Sequence, residues 1–316
     1  MNLRQLRTFV YIADAGGIAR AGSRLNLSQP AASRQILALE ADLGVRLFDR
    51  SGRRFCLTSE GEDLLRQSRR LLMDADSLGA RARALKGGDT GILRVGATPM
   101  AVESTLSPFL ARYRRRHPGV EVHFVEDGGI RLLDLLDDGD IHLGLIVPDE
   151  RFQSRPLYPV YDIAVLWNKH RLSRRRTLDV NEIAQEPLLL LHRSFGSRQW
   201  FEAACSAAHI RPRVLMESAA PHSIIALAAV GYGIAVVPST AVVPSGGVRA
   251  VPLLHRGAPV GKPMTIAWHP QRTLAPYAER FVEELAAYCR GHYPGRKVIR
   301  RAPSRTKANS GPRERP

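Results

Sequence analysis

The hydrophobic rhythm of the chain changes at Gly87-Gly88. Before this point apolar residues recur at helical spacing; from Gly91 onward short apolar runs of strand type alternate with amphipathic stretches. The two rhythms call for different layer arrangements, so a helical N-terminal unit followed by an α/β unit is expected. A length of 316 residues with 44% hydrophobic content supplies core enough for two or three such units.

Leu3, Leu6, Phe9, Val10 and Ala13 form the stripe of a first helix that Gly16-Gly17 ends, and Ile18, Ala21 and Leu25 that of a short second one. Asn26-Leu27 turns the chain. Ser28 can cap a third helix, which tolerates Pro30 because first-turn amides lack intrahelical partners, and which stops at Gly44. Ala32, Ile36, Leu39 and Leu43 project to one side of it, whereas Pro30, Ser33, Arg34 and Leu37 lie away from that stripe, with Gln29 at the start. Such a helix pair can set its second member in the major groove of DNA, Ser and Gln meeting base edges or phosphates and Arg34 forking onto a guanine edge or a phosphate. A solvated helical hairpin shows the same pattern. Two strand-like runs, 45–50 and 53–58, then flank Ser51-Gly52, and Arg50, Arg53 and Arg54 at the tip suit phosphates or an adjacent minor groove. The sum is a winged helix-turn-helix.

Thr58-Ser59-Glu60-Gly61-Glu62 supplies a cap and an acidic first turn for a long helix reaching about Lys86. Leu64, Leu71, Leu78 and Leu85 recur every seven residues along it, accompanied by the small residues Gly61, Ser68, Ala75 and Ala82. A leucine row flanked by small residues admits a second helix at close range, so dimerisation is the expectation; packing on its own domain is the alternative.

Residues 1–87 resemble the DNA-binding region of LysR-type transcriptional regulators. The match is carried by Ala21-Gly22 with Leu25, the segment 27–36 (Leu-Ser-Gln-Pro-Ala-Ala-Ser-Arg-Gln-Ile), Leu39-Glu40, Leu43-Gly44, Leu47-Phe48-Asp49-Arg50 and Leu57-Thr58-Ser59-Glu60-Gly61. Gly22, where the family favours Ala, and Cys56, read as a small buried filler in the wing, depart from it. The resemblance implies that Gln29, Pro30, Ser33 and Arg34 approach the major groove, that Arg50 and Arg53 serve the wing, and that linker helices pair between subunits. Two-fold symmetry of such a dimer, or of a tetramer built from it, would demand an interrupted palindrome in double-stranded DNA.

From Gly91 the β-α-β rhythm implies a parallel sheet covered by helices, arranged as two Rossmann-like lobes that the chain crosses between twice, leaving a cleft. Two strand-to-helix junctions carry hydroxyls. Thr98 caps a helix with Pro99 in its first turn, leaving the amides of Met100 and Ala101 for an anionic oxygen. In the second lobe Ser194-Phe195-Gly196-Ser197-Arg198 does similar work, with Arg198 adding charge. Facing each other, they make an anion site. This segment is similar to the effector-binding domain of LysR-type regulators, which is like a type 2 solute-binding protein. The resemblance implies effector contacts at Thr98, Pro99, Met100, Asp127, Gly128, Val147, Phe195, Gly196 and Ser197. His222 either lines the cleft or simply starts a helix.

The expected organisation is therefore a DNA-binding domain over 1–58, a linker helix over 59–88 and an effector domain over 89–293, its first lobe about 91–161 and 266–290 and its second about 162–265. A basic, disordered tail, 294–316, follows. Of the +16 formal charge, +8 falls in residues 290–316, +5 in 1–90 and +3 between. The last 27 residues thus hold half of the surplus, and the tail would add unspecific attraction to DNA.

Several classes recede. Cys56, Cys205 and Cys289 are far apart, so neither a disulfide framework nor a structural zinc site is indicated, and no cofactor is expected. A thiol switch through Cys205 would need a nearby second thiol. No serine-hydrolase or phosphate-cradling motif occurs, and Ser197 with a distant His is a weak nucleophile pair, so an enzyme is not expected. Without a leader or a bilayer-length apolar window the chain reads as soluble and cytoplasmic, with no membrane partner. The expected partners are operator DNA, an organic anion as effector and a second copy; RNA polymerase is a further candidate.

If Arg34 reads a base edge, Arg34→Ala will cut the discrimination between operator and random DNA by about 1–3 kcal/mol. Competition binding with both DNAs at one salt concentration checks this, and equal loss on both would refute base reading.

Overall fold

The computed structural model describes residues 1–18, 27–49, 56–85 and 90–296. The first helix, α1 (Leu3–Ala15), begins at an Asn2 capping box with Gln5 and ends at Gly16, whose φ of 62° is left-handed. The short second helix falls on residues 19–26, outside the described residues. Helix α2 (Gln29–Leu43) starts at Ser28, whose side chain accepts from the Ala31 amide, and closes at Gly44, again left-handed at φ 73°. Phe9, Ile12, Ile36 and Leu39 pack beneath the pair, with Phe9 set edge-on to Phe48. Of the expected wing, Phe48–Asp49 (β1) pairs antiparallel with Cys56–Leu57 (β2), and the tip with Arg50, Arg53 and Arg54 lies outside the described residues.

Two side chains fix the base of the wing. Glu40 Oε1 accepts from the amides of Leu47 and Phe48, and the Thr58 hydroxyl donates to the Arg46 carbonyl while accepting from the Gly61 amide. One correction concerns Cys56, which is exposed rather than buried filler.

The linker helix α3 (Ser59–Leu85) runs 27 residues, a length of about 40 Å at 1.5 Å per residue. It is covered on more of its surface than the leucine row implied. Leu65 and Leu72 are buried in the head domain's core, while Ala80 is buried in the core of the first lobe. Leu64 is half-buried against the head, whereas Leu71 and Leu78 stand exposed, 44% and 72%. The small residues divide likewise. Gly61 is pressed against its own domain, since a Cβ there would sit 2.1 Å from the Leu47 carbonyl oxygen, and Ser68 is buried. Neither is free to admit a second helix, which corrects that part of the expected seam. The Leu85 side chain lies outside the described residues.

The α/β part opens with β3 (Gly91–Ala97). A helix then runs through Pro99–Ala101, a π-turn at Val102–Leu106 and Ser107–Arg116, together α4. Next come β4 (Val120–Glu126), α5 (Gly129–Asp138), β5 (Leu143–Ile146) and the long β6 (Gln153–Trp167). The second lobe holds β7 (Leu178–Asp179), α6 (Val180–Ile183), β8 (Leu188–Leu191), α7 (Gly196–Ala207), β9 (Val214–Ser218), α8 (Pro221–Ala229), β10 (Ile234–Pro238) and β11 (Val248–His255). After β12 (Ala258–Pro259), β13 (Gly261–Trp268) returns to the first lobe and α9 (Pro276–Gly291) covers it.

The main path of the sheet is β4-β3-β5-β13-β6-β10-β8-β9. Within each lobe β3, β4 and β5, or β8, β9 and β10, pair parallel, as the rhythm implied. The lobes meet on β6. Its first half pairs antiparallel with β13 from Gln153 to Tyr161, and its second half pairs antiparallel with β10 and β11 from Asp162 onward. The second segment of the first lobe therefore begins at Gly261 rather than at about 266. The tail boundary moves too: Tyr293 stacks on Tyr158, and Gly295 comes so close to Ser239 that a Cβ would meet it at 2.7 Å, so residues 294–296 belong to the packed domain.

Because Gly61 lies against a backbone carbonyl that cannot swing aside, Gly61→Ala will destabilise the head by about 1–3 kcal/mol despite Ala's better helix propensity. Urea unfolding followed by circular dichroism reads this directly.

Candidate functional site

The reading surface follows from the amphipathic division of α2. With Ala32, Ile36 and Leu39 consumed by the core, Gln29, Pro30 and Arg34 are exposed and Ser33 is half-buried on the opposite side. Thr8 beneath them donates to Gln35 Oε1 at 2.6 Å, which locks the roll of α2 relative to α1.

Between the lobes lies a cavity of about 280 Å³. From the first lobe Thr98 and Met100 enter at the start of α4, and Val147 follows β5; Phe195, Gly196 and Ser197 enter at the start of α7 in the second. Six of the expected effector residues thus share one cavity. Thr98 caps α4 as expected, but the Ala101 amide is already bonded to the Thr98 carbonyl and faces its hydroxyl, so it is not free for a ligand. The start of α7 is different, for Phe195 is its cap residue and makes no side-chain capping bond.

Five expected contacts lie elsewhere. Arg198 points away from the cavity: its guanidinium, 2% exposed, bonds the Leu191 carbonyl at 3.0 Å, Glu202 at 3.0 Å and Glu217 at 2.8 Å. This pairing holds the Glu217 carboxyl below its ordinary pKa. Pro99 occupies the first turn of α4 without lining the cavity. Asp127 is exposed and accepts from the Gly128 amide; Gly128 is where the lobes touch, with space for a Cβ only 2.6 Å from the Ser194 carbonyl oxygen. His222, largely exposed, meets Glu103 across the lobes at 3.3 Å instead of lining the cavity.

Sequence reasoning missed the residues that the return strand and the β10 end bring in: Lys262, Met264 and Thr240, with Gln199 and Trp200 one turn along α7. Lys262 has no ion-pair partner among the described residues, whereas Asp149 at the rim is bonded to Arg151, which holds its carboxyl below the ordinary range. The cavity thus offers one unpaired ammonium, hydroxyls from both lobes and an uncapped helix start, within mostly apolar walls. No group of residues able to hold a metal ion occurs among the described residues. Burial pushes the Cys205 thiol up to about 11 and the Cys289 thiol up to about 12, and these two sit in different cores. No described helix is long and apolar enough to cross a membrane.

A second junction links the head to the first lobe. Arg69 of α3 bonds Asp14 of the head and faces Asp140 at 2.8 Å, Arg70 donates to the Asp137 carbonyl, and the Ser77 hydroxyl donates to the Thr273 carbonyl.

If Arg198 supports α7 rather than a ligand, Arg198→Met will destabilise the protein by about 1–3 kcal/mol, since Glu202 and Glu217 can still turn to water, while leaving ligand-induced shifts in melting temperature intact. Abolition of those shifts in a folded variant would return Arg198 to the binding site.

Comparison with known proteins gives the same two parts. Residues 3–62 match the family described as bacterial regulatory helix-turn-helix protein, lysR family, and residues 86–290 match the LysR substrate binding domain. The HTH-type transcriptional regulator TtuA of Agrobacterium vitis is 31% identical over 85% of this chain and 91% of its own. YnfL of Escherichia coli, an uncharacterized HTH-type transcriptional regulator, is 29% identical over 89% of this chain and 96% of its own. Among solved structures, full-length CbnR complexed with its target DNA superposes with a TM-score of 0.63 at 26% identity, covering 91% of this chain and 99% of that one. A full-length OxyR cysteine variant from Pseudomonas aeruginosa reaches 0.72 over 98% and 99%, its 23% identity supporting likeness of fold alone.

Proposed function

The chain belongs to the LysR family of bacterial transcription regulators, with a DNA-binding head and a substrate-binding domain, and from that premise we propose that it senses a small organic anion in the cleft between its lobes. The observation that carries this reading is the pairing of an unpaired cation, Lys262, with the uncapped start of α7 in one cavity. A helix N-terminus favours negative charge, and an ammonium beside low-dielectric walls does so more strongly. Thr98 and Thr240 would hold the remaining oxygens. The thiol-switch alternative is disfavoured by the burial of Cys205 and Cys289 in separate cores, because the thiolate is the reactive form.

On the DNA side Gln29, Pro30, Ser33 and Arg34 would face the major groove, with the wing arginines on the flanking backbone. The exposed Leu71 and Leu78 are the part of the leucine row left for a second copy, so the regulator would act as a homodimer or a higher oligomer on an interrupted palindrome. Ligand binding would alter how the subunits sit on DNA, and hence its bending. Contact with RNA polymerase is compatible with this arrangement.

A thermal-shift screen of organic acids tests the cleft. The wild-type protein should be stabilised by at least one carboxylate, and Thr98→Ala and Lys262→Met should each reduce that shift. A carboxylate whose shift neither change affects would refute the site.

A further inference from the structure

The crossing strand β6 carries an acid where its apolar pattern leaves no place for one. Asp162 is 0% exposed, and neither of its carboxyl oxygens has a hydrogen-bond partner among the described residues. Its amide donates to the Val260 carbonyl at 2.7 Å, and its strand position faces Pro238 of β10. By the two-residue period of a strand its side chain shares the face of Ala164 and Leu166, which lies against Phe201 of α7 and Val260. Among the described residues the one polar side chain acting on it is the Ser197 hydroxyl, in the first turn of α7. That hydroxyl lies close enough to ease the carboxyl's ionisation but outside hydrogen-bond geometry, and is itself fully buried without a partner. Three unsatisfied polar atoms therefore meet under the helix start that borders the cavity.

An ionised carboxylate in this position would have no donor of full strength and no solvent, a cost of several kcal/mol on general grounds. A protonated carboxyl needs one acceptor, and a small rotation of Ser197 supplies it. The charged groups on the surrounding elements do not change this balance. Lys262 on β13 is exposed toward the cleft, and Arg198 on α7 is held by Glu202, Glu217 and the Leu191 carbonyl. Tyr161 precedes Asp162 on its own strand, and the end of β10 brings only Pro238 and the uncharged Ser239 and Thr240. Burial dominates, raising the Asp162 pKa well above its ordinary value, with Ser197 opposing in part.

We propose that Asp162 is a positioning residue of the ligand site: it is kept as a carboxylic acid that donates to Ser197 Oγ, which turns the Ser197 hydroxyl hydrogen outward to meet a carboxylate oxygen of the ligand. A neutral Asp162 also leaves the positive end of the α7 dipole available to that oxygen, whereas an ionised one would occupy it. The outward step rests on the anion reading of the cleft. The acid and its bond to Ser197 do not, so they are tested on the ligand-free, full-length protein.

Infrared spectroscopy at neutral pH should show a protonated-carboxyl C=O stretch that D162N lacks. S197A should keep the band and move it to higher frequency, because the acid has lost its acceptor. Should D162N not fold, the displacement in S197A alone identifies the band. Absence of such a band from the wild type, or a band that S197A leaves unmoved, overturns the proposal. Melting temperature against pH gives a second readout. A group whose pKa is raised on folding stabilises below its unfolded pKa and loses that contribution as pH rises through the folded one. The wild type should therefore lose stability relative to D162N as pH rises, and parallel curves would overturn the proposal. Failure of the carboxylate screen with the band present would count against the anion reading alone.

Discussion

The antiparallel pairing of β6 with β13 is the constraint on which the rest of the molecule depends. Two strands cross between the lobes side by side, and β6 serves as a sheet member in both, first beside β13 and then beside β10 and β11. Each lobe is otherwise a parallel sheet whose helices start at the carboxyl ends of its strands, so joining the sheets along β6 brings the start of α4 and the start of α7 to one cavity. Ligands in open α/β sheets collect at such ends. The cavity's chemistry is then a matter of what the crossing strands contribute: Lys262 and Met264 toward the ligand, Asp162 beneath the helix.

The linker helix couples this lobe pair to the reading head through two kinds of contact. Leu65 and Leu72 are part of the head's core and Ala80 is part of the first lobe's, while Arg69, Arg70 and Ser77 add polar bonds on both sides. Partly exposed ion pairs are worth little individually, so the apolar contacts set the attachment and the polar ones fix its angle. A helix held this way leaves Leu71 and Leu78 outward, the only large apolar side chains of its described part left more than a third exposed.

What could be read in the sequence was what depends on near neighbours. Ser28 and Thr58 announce helix starts because each hydroxyl caps the amide three residues along, Gly44 announces an end because its left-handed backbone suits glycine, and the division of α2 into core and reading faces follows from its period alone. Contacts set by distant segments were hidden. Arg198 looked free because Glu217 arrives from the next strand, and Lys262 and Thr240 reach the cavity only once the return strand is placed. β6 accommodates Pro156 and Pro159 on either side of Leu157, where its register with β13 shifts between Met264 and Thr265. Asp162 did leave a signal, an acid opening the apolar run 163–167, but only the burial of Ser197 beside it gives the acid a meaning.

The central claim is that one small ligand bridges the two helix starts across the crossing strands. Hydrogen–deuterium exchange of the full-length protein, with and without the carboxylate giving the largest thermal shift, tests this most directly. The account predicts slowed exchange in residues 98–102 and 195–200 together, with a smaller effect along 158–163. Protection confined to one lobe, or appearing only at a surface remote from the cavity, would contradict it.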